Sequence, residues 1–355
     1  MSKGRSPSIV SAGYSPLDVV LHRSVIRHSA GGSAGNVAAI LAFLGWNSKI
    51  IGVIGDDPTA AALRSDFQRA GVATEFLVEA SGSTTRVVHE TGINGHAFHF
   101  SCPVCGVRFP RNRKLPVGLA EKVGEQPVPP AVYYFDRANA GTVRLAELFG
   151  ERGATIVFEP SSSVDLPLNR RAVELADILK FSLAEDVADP SVLGVGRKKQ
   201  VQIVTSGRAG ASYRVGTSRW RRSPGFSYPT VDEAGAGDWV TACFLHALSL
   251  RDGNLNQVGE ALLWAQAIAA VSCGSVGARG LAHVRSRKSV LESARRLRSS
   301  SATGSLRRRR PSDELGLHRA SAVGACVTCL EPTTETVPES SVHWEVGEIT
   351  CMESN

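Results

Sequence analysis

Over most of the chain, short runs rich in β-branched and aromatic residues alternate with longer stretches whose apolar positions recur every three to four residues. SIVSAGY, SKIIGVIG, AVYYFD, ATIVFEP, ILKFS and VQIVTSG read as buried strands. NVAAILAFLG, AAALRSDFQRAG, TVRLAELFGERG, RRAVELAD and the apolar run from Trp239 to Leu250 read as helices. Strands joined by helices need crossover connections, so the pattern predicts an α/β fold with a mostly parallel sheet and helices on both faces.

One segment departs from this rhythm. TTRVVHETGINGHAFHF alternates with period two around Asn94-Gly95, a pair favoured in two-residue hairpin turns. The expectation is an antiparallel flap on the parallel core, with a further strand from Val19 to Arg27 (VVLHRSVIR). Such a flap closes over a ligand, although an edge extension of the main sheet fits the same alternation. Beyond about residue 297, SSSATGSLRRRRPSDELG and EPTTETVPESS hold too little apolar surface to offset chain entropy, and disorder is expected. The chain thus divides into a folded unit, residues 1–297, and a basic, Ser/Pro-rich tail, residues 298–355, with no internal repeat.

Composition narrows the class. With 355 residues, 43% of them hydrophobic, the chain can bury one large core or two smaller ones. No stretch approaches the roughly 18 apolar residues of a membrane span, and MSKGRSPSIV lacks the apolar region of a signal peptide, so a cytoplasmic protein is expected, without a membrane partner. The net charge of +7 is concentrated late, in VRSRKSV, SARRLRSS and SLRRRRPSDE. It reads as a solvated tail or as a weak contact to polyanions, and nucleic-acid binding would rest on that charge alone. The seven cysteines, an odd number, argue against a disulfide framework.

Two glycine-rich stretches carry candidate chemistry. In DEAGAGD, Asp232 to Asp238, the glycines at 235 and 237 let backbone amides converge on a small space just before an apolar helix, which makes an anion site. Asp238 at that helix start suits a base that takes the proton of a hydroxyl attacking phosphate, or a plain helix cap. In AGGSAGNVAAILAFLGW, the pair Gly31-Gly32, then Gly35 and Asn36, opens an amphipathic helix without the Lys-Ser/Thr ending of a Walker loop. Asn36 offers a donor and an acceptor to sugar hydroxyls, and a cap with close-packed glycines fits equally.

Together GGSAGN, the LAFLG helix end, IGVIGDD, Gly71-Val72, TSGRAG at 205–210 and DEAGAGD resemble, in order and spacing, the ribokinase-like (PfkB) family of sugar and nucleoside kinases. The resemblance spans about residues 8–290. It implies a three-layer α/β/α sandwich with a small β lid, here at about 18–28 and 84–101, followed by an insertion at about 102–115. It also implies transfer of phosphate from ATP, with Mg²⁺, to a hydroxyl of a small-molecule sugar or nucleoside.

By the same resemblance Asp238 is the base, and the backbone of Ala234, Gly235, Ala236 and Gly237 is the anion hole. Asp18, on the strand after Gly13, lines the acceptor site with Gly31, Gly32 and Asn36. Thr205, Gly207 and Gly210 border the nucleotide phosphates, Asp232 lies close to metal or phosphate, Glu185 organises Mg²⁺, and the segment from Cys273 to Ala278 wraps the adenine. A homodimer through the lid is a further implication. Departures from the family pattern fall at Ser182 for the usual Asn, Glu233 for Thr, Trp239 for a small residue, and after Asp57, where an aromatic-Gly is missing.

Cys102 and Cys105 in CPVCG and Cys326 and Cys329 in CVTCL form two CxxC pairs. Four thiolates make a tetrahedral structural zinc site if the tail folds back on the lid; His89, His96 or His99 can substitute as ligands, and free or redox-active thiols are the other reading. Cys243 and Cys273 read as apolar packing residues. A kinase-like sensor of a sugar or nucleotide that signals through its tail remains the alternative to the enzyme, and the motifs do not name the acceptor.

Overall fold

A computed structural model describes residues 6–22, 25–92, 95–103, 105–161, 167–182 and 197–302. In chain order the strands of the main sheet are β1 (Ser8–Ala12), β4 (Asn47–Ile54), β5 (Val72–Glu79), β8 (Val132–Phe135), β9 (Thr155–Phe158), β10 (Ile178–Ser182), β11 (Val201–Thr205), β12 (Ala211–Val215) and β13 (Arg221–Ser223). They lie in the spatial order β13-β12-β11-β10-β9-β8-β1-β4-β5. All pair in parallel except at the β11-β12-β13 edge, which is antiparallel.

Both faces of this sheet are buried, and the pleat sorts alternate residues between them. Ile9, Tyr134, Val157 and Ile203 pack toward α1 (Gly32–Phe43), α6 (Ala236–Ser249), α7 (Val258–Ser272) and α9 (Arg287–Ala302). Val10, Tyr133, Phe135, Ile156 and Phe158 pack toward α3 (Val117–Gly124), α4 (Ala140–Glu151) and α5 (Pro167–Leu175). The result is a three-layer α/β/α sandwich. Ser11 adds a polar tie on the first face, its hydroxyl donating to the Ala34 carbonyl at 2.7 Å. Helix α6 is buried from Asp238 through Leu248, as expected of a helix that is apolar on every side. Its contact with α1 sets the N-termini of these two helices beside each other.

The lid is a separate sheet, β3-β2-β6-β7, built from β2 (Leu17–His22), β3 (Val25–Ala30), β6 (Arg86–Gly92) and β7 (Gly95–His99). The VVLHRSVIR region supplies a whole hairpin, β2-β3, and a parallel β2-β6 pair joins it to the β6-β7 hairpin. The lid is therefore mixed rather than purely antiparallel, and it is no extension of the main sheet. Gly92 pairs with Gly95, so Ile93 and Asn94 link the strands in place of Asn94-Gly95; these two residues lie outside the described ones.

The basic stretch from Arg287 belongs to the folded unit. Val290, Ala294 and Leu297 recur at helical spacing and are buried on α9, which runs to Ala302, five residues past 297. Arginines on its exposed face hide this stripe in the sequence. The remaining tail, with its expected disorder, lies outside the described residues. Among the described residues no helix is long and apolar enough to cross a membrane.

A buried polar pair fastens the loop after α1 to α6: Trp46 Nε1 donates to His246 Nδ1 at 3.0 Å. Burial, then the Arg287 charge, pushes His246 down to about 4, so the folded chain holds it neutral below the ordinary histidine value, where the unfolded chain protonates it. That contribution is complete above pH about 6.5 and is lost as pH falls toward 4. Thermal unfolding at pH 7.5 and pH 5 should show the wild type losing stability on acidification relative to His246→Gln; a difference that does not change between the two pH values contradicts this.

Candidate active site

The turn ahead of α6 is shaped by Gly235, whose φ of 72° is left-handed and whose missing Cβ leaves room for Ala278; a Cβ there would lie 2.5 Å from that of Ala278. The Ala234 amide donates to Asp232 Oδ1 at 3.0 Å and the Ala236 amide to the Glu233 carbonyl at 3.2 Å. The amides of Gly235, Gly237 and Asp238 have no acceptor among the described residues. They stand at the positive end of the helix dipole, a ready site for an anion. Two of the four residues expected in the anion hole thus keep a free amide, and Asp238 adds a third.

Asp238, in the first turn of α6, is buried, and Asn36 Nδ2 donates to its Oδ2 at 2.7 Å. Burial, then the Glu159 charge, raises Asp238 to about 7 against the opposing pull of Asn36, Lys180 and Ser33. Asp18 reaches the same cleft from the lid strand β2. Its carboxylate occupies the place of a side chain on Gly31, where a Cβ would fall 1.9 Å from Oδ2, so only glycine fits there. Burial raises Asp18 to about 7 as well; Arg279 opposes the shift, and Asp238 and Asp66 add to it. Gly32 opens α1 under the Tyr14 carbonyl, so the structure brings Asp18, Gly31, Gly32, Asn36 and Asp238 together. Asp136 closes the floor at the end of β8, where it accepts the Tyr14 amide at 2.8 Å and burial lifts it to about 6.

Sequence reasoning missed a second layer. Lys180 is buried in β10 and ion-paired with Glu159, which also accepts from Thr241 Oγ1 at 2.9 Å and from the Tyr134 hydroxyl at 3.2 Å. Lys180 Nζ lies 3.6 Å from where a Cβ on Gly237 would sit, directly beneath the phosphate turn. The signal was present, because a lysine inside the apolar strand ILKFS is buried only with a partner.

On the nucleotide side, Thr205 ends β11 opposite Ser182 and donates to the Phe181 carbonyl at 3.1 Å. Gly207 and Gly210 form the tight turn that follows, both at positive φ. Asp232 Oδ2 accepts the Gly277 amide at 2.8 Å, which ties the turn before α6 to the segment that ends in Ala278. Two departures find partners here. Trp239 is wholly buried and its Nε1 donates to the Ala278 carbonyl at 2.9 Å, bracing that same segment. Glu233 pairs with Arg208 at 2.9 Å in solvent, so its charge is compensated. Glu185 lies outside the described residues.

The CPVCG turn is formed, with the Cys105 amide 3.5 Å from Cys102 Sγ and the Gly106 amide donating to the Cys102 carbonyl at 2.9 Å. Cys102 packs with Val19, Val88 and Phe109, while His89 stacks on Phe98 and His99 pairs with Glu90. Among the described residues no group of three or more His, Cys, Asp or Glu is placed to hold a metal. The turn offers two free cysteines; Cys326, Cys329 and the His96 side chain lie outside the described residues. Cys243 is buried and Cys273 partly so, both in packing positions.

The sandwich, the lid and a phosphate-sized turn facing a carboxylate define a kinase of the ribokinase-like class. A solved fructokinase from Vibrio cholerae, described with fructose, ADP and calcium bound, superposes with a TM-score of 0.64 at 19% identity, over 81% of this chain and 98% of that one. Aminoimidazole riboside kinase from Salmonella enterica superposes with a TM-score of 0.63 at 20% identity, over 81% and 99%. In sequence the chain is 31% identical to an ATP-dependent ribose-1-phosphate kinase of Halopiger xanaduensis, over 71% of this chain and 83% of the relative. It is 28% identical to a fructokinase of Klebsiella pneumoniae, over 70% and 87%. The pfkB family carbohydrate kinase model matches residues 9–96 and 167–284. The chain belongs to the pfkB family of carbohydrate kinases.

Replacing Gly235 with Ala adds a Cβ that strikes Ala278 and strains a left-handed φ. ATP affinity measured by calorimetry should fall by about tenfold or more, the equivalent of roughly 1.4 kcal/mol, and unchanged affinity contradicts an anion site at this turn.

Proposed function

We propose that the chain transfers the γ-phosphoryl group of ATP to a hydroxyl of a neutral sugar or nucleoside, with Asp238 as the general base. The observation that carries this reading is the placement of Asp238. Its carboxylate is bonded to Asn36 and coupled to Asp18, while the amides of Gly235, Gly237 and its own residue, free among the described residues, are left for a phosphate. Asp18 and Asn36 grip acceptor hydroxyls. Asp238 takes the proton of the hydroxyl that attacks, the new P–O bond forms as the bond to ADP breaks, and the amides hold the charge that develops on the transferred oxygens. Lys180, under Gly237, adds a fixed positive charge to that turn.

Mg²⁺ would neutralise the nucleotide phosphates, and the family resemblance implies Glu185, outside the described residues, as the acid that organises it. Glu159 is unsuited to it, since its oxygens already accept from Lys180, Thr241 and Tyr134. A sensor needs to grip a sugar but has no use for a base beside an anion turn, so the geometry favours the enzyme. The mutual repulsion of the buried Asp18 and Asp238 favours an uncharged polyol.

The test is ADP release with ATP and Mg²⁺ on a panel of fructose, ribose, ribose-1-phosphate and nucleosides. Wild-type turnover should fall by several orders of magnitude in Asp238→Asn, with acceptor binding retained. Turnover that survives the substitution removes Asp238 as the base, and silence of the wild type on the whole panel, with a sugar still bound, supports the sensor.

A further inference from the structure

Among the described residues, two buried polar side-chain atoms near the Asp18 and Asp238 carboxylates have no partner: Asn36 Oδ1, on the residue bonded to Asp238, and Arg279 Nη1, on the residue paired with Asp66 behind Gly31. Asn36 was expected there, whereas Arg279 belongs to no motif. It is 4% exposed, and its other terminal nitrogen is paired with Asp66. Asp66 Oδ2 also accepts the Ala30 amide at 2.8 Å, immediately before the glycine pair that lies against Asp18. The guanidinium therefore sits behind Gly31. Its charge is also the strongest influence opposing the rise of Asp18.

A charged N–H left buried and unpaired destabilises the empty site, and so does an orphaned amide oxygen. A ligand whose polar groups reached both atoms would relieve the two costs together. Asp18, Asp66 and Asp238 outnumber the single guanidinium around it, so a second negative charge from a ligand is disfavoured at this spot. A neutral oxygen is favoured. The chain also couples this group to the phosphate turn. Gly277 donates to Asp232, Ala278 packs on Gly235 and accepts from Trp239, and Arg279 follows directly.

We propose that Arg279 is an acceptor-binding residue, donating its free N–H to an uncharged hydroxyl or ring oxygen of the acceptor while Asp18 and the Asn36 carbonyl oxygen accept from neighbouring hydroxyls. The proposal rests on the kinase reading above, and it adds a donor to a site otherwise lined by acids.

Arg279→Lys keeps the charge and can still pair with Asp66, but it lacks the second fork of the guanidinium. Steady-state kinetics of the wild type and this variant, on fructose, ribose, ribose-1-phosphate and adenosine, test the proposal. The KM of an uncharged acceptor should rise about tenfold or more, with the KM of ATP within about threefold and the melting temperature nearly unchanged. A monodeoxy analogue that lacks the contacted oxygen should lose affinity in the wild type and lose no more in the variant. Unchanged acceptor KM in an active enzyme overturns the assignment, as does an effect confined to ribose-1-phosphate, which would make the ligand group anionic. If Arg279→Lys does not fold, Asp66→Asn with Arg279→Met removes both charges together and is read in the same way. A wild type with no turnover on any of the four acceptors overturns the kinase reading and this proposal with it, and is distinguished from the other outcomes by that silence.

Discussion

Asn36 and Asp238 stand 202 residues apart in the chain, and the 2.7 Å hydrogen bond between them joins the first turns of α1 and α6. That bond depends on the buried face that the two helices share on one side of the sheet. It orients the carboxylate toward the cleft and leaves the Asn36 carbonyl oxygen for a ligand. The proposed acceptor site and the proposed phosphate turn are thus two sides of one helix contact. Glycines at both helix starts let this happen, because side chains at Gly31 or Gly235 would strike Asp18 or Ala278.

Charge balance is the second constraint. Asp18, Asp136 and Asp238 crowd a low-polarity cleft, and burial lifts all three carboxyls well above the ordinary value. Buried cations limit the rise of two of them, Lys180 under Gly237 for Asp238 and Arg279 behind the glycine pair for Asp18, and each cation is itself held by an acid, Glu159 or Asp66. Removing one member of either pair leaves an uncompensated buried charge, which is why the conservative replacements at these positions are the informative ones.

Local chemistry made much of this legible in the sequence. The DEAGAGD turn announces itself through its glycines, the acceptor helix through GGSAGN, and the sheet through β-branched runs of strand length. Pairings between distant segments were not legible. Glu159 follows the strand beside that of Lys180, and Arg279 meets Asp66 from 213 residues along the chain, so neither pair has a spacing to detect. Helix α9 was hidden for another reason: its exposed arginines dominate the composition, and only the stripe of Val290, Ala294 and Leu297 betrays it. In the lid, alternation identified the strands but left the turn one residue off, because period-two patterning does not fix where a hairpin bends.

As the proposed base, Asp238 must be ionised to accept a proton, and burial and the Glu159 charge raise it to about 7. The most direct test is the pH dependence of kcat/KM for the acceptor, which reports the ionisations of the free enzyme. The account predicts a rate that climbs through about pH 7 as Asp238 and its neighbour Asp18 lose their protons. A profile that is flat between pH 5 and 8 would contradict it.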